Sequence, residues 1–262
     1  MSLNLILLAG GLVSGMLAGV LGIGGGSILV PLMVSLGFTP IKAIGTSSLA
    51  ILLTALSGSI QNWRMGYIDW RKIASLGLPA LISAQLGAAL AQHVQAAWLL
   101  FGFAALMLMN IYLVGLKQRL IGVESSATTT TNRKLLSNTL TGSLAGLVAG
   151  LVGVGGGAIM VPLQMLLLGE TIKIAIQTSL GVVVLTAISA TIGHSIHGHV
   201  LFNQGLMLGI GGLLGAQFGT RYLPKLPDRI VSNLFRLTLL LISIYSFTQG
   251  LNQLSAVAER LP

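Results

Sequence analysis

Two runs of three glycines, Gly24-Gly25-Gly26 and Gly155-Gly156-Gly157, are the residues of this chain best placed to do chemistry. Glycine has no side chain, so the chemistry must be that of the backbone. Each run interrupts a long apolar segment, and three successive glycines give away helix stability. A helix that restarts after such a run presents amide N–H groups without acceptors and a partial positive charge. An end of that kind binds an oxyanion without needing a lysine. Few side chains can join it. Ser27 follows the first run, and Thr46, Ser47 and Ser48 lie near the start of the next apolar segment. Thr178 and Ser179 hold the same place in the second half, and Gln85 and Gln217 lie deep in later apolar segments. An amide facing lipid is costly, so the glutamines are read as either binding groups or glue between helices. The hydroxyls have their own alternative, bonding to the backbone of their own helix.

Other chemistries find no support. Neither glycine run is followed by Gly-Lys-Ser/Thr, as a phosphate-binding loop requires. A dinucleotide fold lacks its preceding strand and its later acidic residue. Asp69, Glu124, Glu170, Asp228 and Glu259 all fall in loops or at termini, so no acid is available within a span as a proton relay. No nucleophile–base pair is present, and neither enzyme activity nor a cofactor is expected. Without cysteine there are no disulfides and no thiolate metal sites. His194, His197 and His199 crowd together with no carboxylate nearby in sequence, and with His93 they read as loop histidines at a membrane surface rather than metal ligands.

The elements that must position these residues are membrane helices. Hydrophobic residues make up 54% of the 262 and charged residues only 7%, with a mean hydropathy of +0.92. A soluble domain carries about 25% charged residues, so most of this surface must face lipid. The net charge of +9 comes from Lys and Arg residues set between apolar runs, where positive charge orients a membrane protein. Nucleic acid would call for a basic stripe with aromatic partners, and none is present. The first apolar stretch, Leu3 to Leu21, has no basic residue before it and recurs inside the chain. It reads as structure, not as a signal peptide.

That recurrence is an internal duplication. Gly15, Gly19, Gly22, the first triplet and Pro31 return as Gly146, Gly150, Gly153, the second triplet and Pro162, at an offset of 131. Thr46-Ser47 returns as Thr178-Ser179, and Ala84-Gln85 as Ala216-Gln217, at an offset of 132. Gly15-x-x-x-Gly19 and Gly146-x-x-x-Gly150 suit close helix packing. Residues 1–116 then form repeat 1, 117–134 a polar cytoplasmic linker, and 135–262 repeat 2. Single spans fit Pro40–Ile60, Ile73–Gln92, Ala96–Leu116, Ile172–Gly193, Phe202–Arg221 and Ile230–Gly250. The glycine segments Leu3–Phe38 and Leu135–Gly169 are too long to cross a core of about 30 Å once as straight helices.

If each glycine segment crosses once, the halves lie parallel; if each folds back as a hairpin, they are inverted. The parallel arrangement divides the basic loop residues eight to five, whereas the hairpin arrangement places eleven on one side and only Lys42 and Arg260 on the other. Positive charge gathers on the cytoplasmic side, so the expectation is an all-α polytopic protein of two inverted repeats. Both termini and the histidine cluster then lie outside the cytoplasm. Arg236, inside the last span, is within snorkelling reach of the cytoplasmic surface. Paired broken helices in inverted repeats are a known way to build a transport site near the bilayer midplane.

The duplicated Gly-x-x-x-Gly-x-x-Gly-x-Gly-Gly-Gly-x-x-x-x-Pro, followed by a Thr-Ser span start, resembles the TauE/SafE family of membrane permeases, also called TSUP. The motif matches Gly22 to Pro31 and Gly153 to Pro162, and the likeness covers essentially the whole chain. It implies a bacterial inner-membrane permease for sulfur oxyanions and organosulfonates such as sulfite, thiosulfate or sulfoacetate. Seven or eight spans are the usual description of that family. Ala158 stands where the first copy has Ser27, and Gln177 where it has Gly45, so a hydroxyl contact at Ser27 would be one-sided. A channel-like anion conduit, a non-transporting membrane scaffold and a cation transporter remain as other readings, and a homo-oligomer is compatible with all of them.

Overall fold

The computed structural model describes residues 3–120 and 131–258. Every element is helical, and the order follows the apolar segments: α1 (Leu3–Leu21), α2 (Gly26–Ser35), α3 (Pro40–Arg64), α4 (Trp70–Ala91) and α5 (Ala96–Leu120). The second repeat supplies α6 (Thr131–Val152), α7 (Gly157–Leu167), α8 (Ile172–Ile196), α9 (Phe202–Tyr222) and α10 (Asp228–Ala258). A single 3₁₀ turn, Leu223–Lys225, precedes α10. Among the described residues, α1, α3, α4, α8 and the Asp228–Asn252 part of α10 are long and apolar enough to cross a membrane. Large apolar side chains such as Leu78, Ile82, Ile192 and Phe218 remain exposed on the outside, as a lipid-facing surface requires. The predicted linker 117–134 is entered by α5 and α6 from its two ends, and its middle, 121–130, lies outside the described residues.

Local chemistry sets the helix starts. Pro40 opens α3 from the first-turn position where its missing N–H costs nothing. Asp69 caps α4 by accepting from the Lys72 amide at 3.1 Å, which starts that helix three residues before the predicted Ile73. Thr171 caps α8 through the Ile174 amide.

Both glycine segments fold back as hairpins. Ser14 Oγ donates to the Gly25 carbonyl at 2.8 Å, and the Leu32 side chain lies against Gly10. Beyond the break, then, the chain climbs back along α1. In the second repeat Gly156 lies against Ala145 and Ala149 of α6. The long limb α1 has 19 residues, about 28 Å, and the short limb α2 has 10, about 15 Å. α2 therefore covers only half of a bilayer core.

The halves are inverted and interlocked. The end of α3 meets the start of α8, where Asn62 Nδ2 donates to the Gln177 carbonyl at 3.5 Å. The start of α3 meets the end of α8, where the Leu201 amide donates to Thr46 Oγ1 at 3.0 Å. Lys72 pairs with Glu170, and Lys173 with Asp228 at 3.2 Å, on one face of the molecule. The single-crossing arrangement would have put Lys72 and Lys173 on opposite faces. α1 packs against α9 of the other repeat, and α6 against α4. Gly15 and Gly19 seat on Gly212, Ala216 and Thr220 of α9, while Gly146 and Gly150 seat on Ala80 and Ala84 of α4. The Gly-x-x-x-Gly pairs are thus packing surfaces, as their spacing indicated.

Candidate functional site

The two breaks meet one another at the middle of the molecule. Each tip reaches past the other, so that Gly24 Cα lies 3.7 Å from where a Cβ on Gly155 would stand. A Cβ on Gly26 would collide with the Gly153 carbonyl, and one on Gly157 with the Gly22 carbonyl. Only glycine lets two backbones approach this closely. Gly25 and Gly156, the residues that cap α2 and α7, have φ of 82° and 76°, a left-handed conformation costly for any residue with a Cβ.

The donors at this meeting point are backbone amides. Gly25 and Gly156 accept through their carbonyls from the first turns of α2 and α7, as in Leu29 N–H to Gly25 O at 3.1 Å and Met160 N–H to Gly156 O at 3.0 Å. Among the described residues, no hydrogen bond takes its donor from the amides of Gly24, Gly25, Gly26 and Ser27, or from those of Gly155, Gly156, Gly157 and Ala158. All eight residues are buried. Buried amides are almost always paired; here two sets of unpaired donors lie at two helix N-termini, the end of a helix that favours negative charge. Ser27 adds a fully buried hydroxyl whose oxygen has no partner, and Ala158 offers nothing on the other side.

The carbonyls are already occupied. Ser47 Oγ, in repeat 1, donates to the Gly153 carbonyl at 3.1 Å and to Ile44 at 2.9 Å. Ser179 Oγ, in repeat 2, does the same to the Gly22 carbonyl at 2.9 Å and to Ile176 at 2.8 Å. Each serine bonds its own helix, as the backbone-bonding alternative had it, and also reaches the break of the opposite repeat. With the break carbonyls neutralised by O–H donors, the local field is left to the N–H groups.

The remaining candidates lie around this centre. Thr46 holds the loop after α8 through the Leu201 amide, Ser48 Oγ donates to Ile44 O of its own helix at 3.0 Å, and Thr178 is buried beside Ser179. Gln85 and Gln217 are not brought to the breaks. The expectation that they lie deep in the protein is corrected by the structure: Gln85 is exposed and Gln217 half-buried. Each joins a helix pair, Gln217 Nε2 donating to Ser57 Oγ at 3.0 Å and Gln85 Oε1 accepting from Ser189 Oγ at 3.4 Å. Both helices are apolar all round, so sequence alone did not say which face would turn outward.

Several residues at the centre went unnamed at the sequence level. Ile51 and Val183 each lean on both Gly24 and Gly155, and Thr186 Oγ1 donates to the Gly155 carbonyl at 3.0 Å. The duplication pointed to the first pair, since Ile51 and Val183 are related by the same offset of 132. A second correction concerns His194. It is not a loop histidine: it sits fully buried in the last turn of α8. His197 and His199, outside the helix, fit the surface reading, and among the described residues no group of three metal-ligating side chains forms.

The sequence that builds these paired, glycine-broken hairpins has counterparts among known proteins. The profile described as "Sulfite exporter TauE/SafE" matches residues 7–246. The chain belongs to the TauE/SafE family. It is 26% identical over 269 residues to the "Probable membrane transporter protein YunE" of Bacillus subtilis, covering 94% of this chain and 98% of that one. It is 29% identical over 242 residues to a "Probable membrane transporter protein" of Xylella fastidiosa, covering 90% and 92%. No solved structure matches the chain. As a TauE/SafE protein with multiple membrane-crossing helices, it is a multi-pass membrane transporter.

Proposed function

We propose that this TauE/SafE protein is a secondary permease for a small sulfur-containing anion, such as sulfite, thiosulfate or an organosulfonate, held between the two hairpin tips. One observation carries the reading: the buried amides of Gly24 to Ser27 and Gly155 to Ala158 donate no hydrogen bond, and they lie where the two breaks meet. The family's description as a sulfite exporter supports the sulfur chemistry. The tips are packed together under Ile51 and Val183, which favours a carrier that must part them over an open conduit. Inverted hairpins supply two such gates, one toward each face. Gly24, Gly25, Gly26, Gly155, Gly156, Gly157 and Ser27 would touch the anion. Ser47 and Ser179 would hold the breaks, with Thr46, Ser48 and Thr178 beside them.

The face bearing Lys72, Lys173 and Arg221 is the cytoplasmic one in this reading, and both termini lie outside it. A cysteine placed between 124 and 130 should resist an impermeant thiol reagent in intact cells, and labelling there would reverse the orientation. The function itself is tested by uptake into proteoliposomes with sulfite, thiosulfate, sulfoacetate, sulfate and phosphate. Saturable uptake of a sulfur-containing anion is expected, and none for any of them would remove the reading.

A further inference from the structure

We infer that His194 is a proton-binding site coupled to the anion site, so that acid on one face of the protein tightens anion binding. The inference rests on the anion reading above and concerns its regulation. His194 Nε2 lies 2.9 Å from the Gly150 carbonyl oxygen. A carbonyl can only accept, so Nε2 carries the hydrogen and Nδ1 holds the free lone pair. That Nδ1 is buried without a partner.

The surroundings supply no counter-charge. The titratable and charged groups on this side are Lys42 of α3, His93 after α4, and His197 and His199 beside α8. Among the described side chains α1, α6 and α7 contribute none, and no carboxylate lies nearby. A proton on Nδ1 is therefore a lone buried cation until an anion arrives.

The anion site is close enough to provide the missing charge. Gly150 precedes the break residue Gly153 by three positions, about 4.5 Å along the helix. Thr186, which bonds the Gly155 carbonyl, lies eight residues before His194, about 12 Å along α8. Opposite unit charges at that separation, in an effective dielectric of about 20, favour one another by on the order of tenfold. Coupling of this kind is reciprocal: the proton tightens the anion and the anion tightens the proton.

A route from solvent is in place. The ring of His199 lies 6.3 Å from that of His194, and the exposed His197 stacks 6.2 Å from His199. A cavity of about 360 Å³ lined by Thr39, Gln92 and His199 opens beside them. The His199 amide donates to the His194 carbonyl at 3.0 Å, and the Leu201 amide donates to Thr46. The loop is thus tied to both sites. At the position of His194, the other repeat has Asn62, at the same offset of 132. Asn62 cannot titrate, so the response to pH belongs to one face alone.

The test measures thiosulfate affinity of the purified protein by calorimetry between about pH 7.5 and 4.5, a window that reaches below the ordinary imidazole range because the ring is buried without a counter-charge. Thiosulfate keeps its charge across that range. Wild type should bind on the order of tenfold more tightly at the acid end, and His194→Asn, which restores the Asn62 chemistry, should bind equally at both. Equal pH dependence in the two proteins, or none in wild type, would overturn the proton inference and leave the anion reading standing. No binding at either pH would overturn both. Should His194→Asn fail to fold, ¹⁵N-histidine spectra of wild type decide: thiosulfate should raise the titration of one buried imidazole, and an unmoved set of histidines would refute the coupling.

Discussion

Alanine at Gly25, compared with alanine at Gly37, separates backbone strain from damage to a built site. Both glycines are left-handed, with φ of 82° and 88°, so each substitution incurs about 1–2 kcal/mol of conformational strain. Around Gly37 nothing lies within 4 Å of a new Cβ, and strain is the whole effect. At Gly25 the Cβ would stand 2.6 Å from Ser14 Oγ, the group that donates to the Gly25 carbonyl. Displacing it costs a buried hydrogen bond, about 1 kcal/mol more. For a chain of this size 1 kcal/mol moves Tm by about 2–4 °C. Gly37→Ala should then lower Tm by about 5 °C, and Gly25→Ala by about 8 °C. The larger contrast is in transport. Moving the Gly25 and Gly26 amides off the anion loses at least one charge-assisted hydrogen bond, about 1.5–3 kcal/mol, so uptake should fall about tenfold or more. Gly37→Ala should transport normally. The assay is thermal unfolding in detergent beside thiosulfate uptake per folded protein in proteoliposomes. Gly25→Ala behaving like Gly37→Ala in both would refute the reasoning.

Three further outcomes are expected. Ser47→Ala and Ser179→Ala each strip a hydroxyl from the opposite break, so each should lower stability by about 1 kcal/mol and slow uptake by about fivefold, read from melting curves and initial rates. Lys72→Cys with Glu170→Cys, in a chain with no other cysteine, should be bridged by a bis-maleimide spanning about 10 Å, because the native side chains pair end to end, a longer reach than the roughly 4 Å between Cβ atoms that a disulfide allows; no bridging would contradict the inverted arrangement. Burial first, then His197 and Lys42, hold His199 below the ordinary histidine value of 6.5. The unfolded imidazole therefore takes up its proton first as pH falls. This contribution to stability is complete above about pH 6.5 and is lost as pH drops from there toward the folded value. His199→Gln should remove that part of the acid-side fall in Tm, measured by melting curves between about pH 7 and 5.

Much of this fold was legible because its determinants are local. The starts of α3, α5, α8 and α9 coincide with the spans read from the sequence, since the length of an apolar run between polar stops leaves little choice. The breaks were legible from the glycine triplets, and the inversion from the placement of Lys and Arg, which the Lys72–Glu170 pair bears out. What the sequence did not disclose depends on partners distant along the chain. That the two tips touch, with Ile51 and Val183 leaning on both, requires knowing that α3 and α8 lie side by side. His194 looked like one of three surface histidines, and it is buried because α6 lies beside the end of α8 and offers the Gly150 carbonyl to its imidazole. Gln85 and Gln217 failed as buried residues for the same reason: α4 and α9 are apolar on every face, and only their neighbours decide which face is covered.

In the proposed mechanism an anion sits between the unpaired amides of the two breaks. A structure determined with bound thiosulfate tests it most directly. Density for the anion is expected within hydrogen-bond distance of amides from both Gly24–Ser27 and Gly155–Ala158. Thiosulfate bound elsewhere, with the two tips still packed against each other, would contradict it.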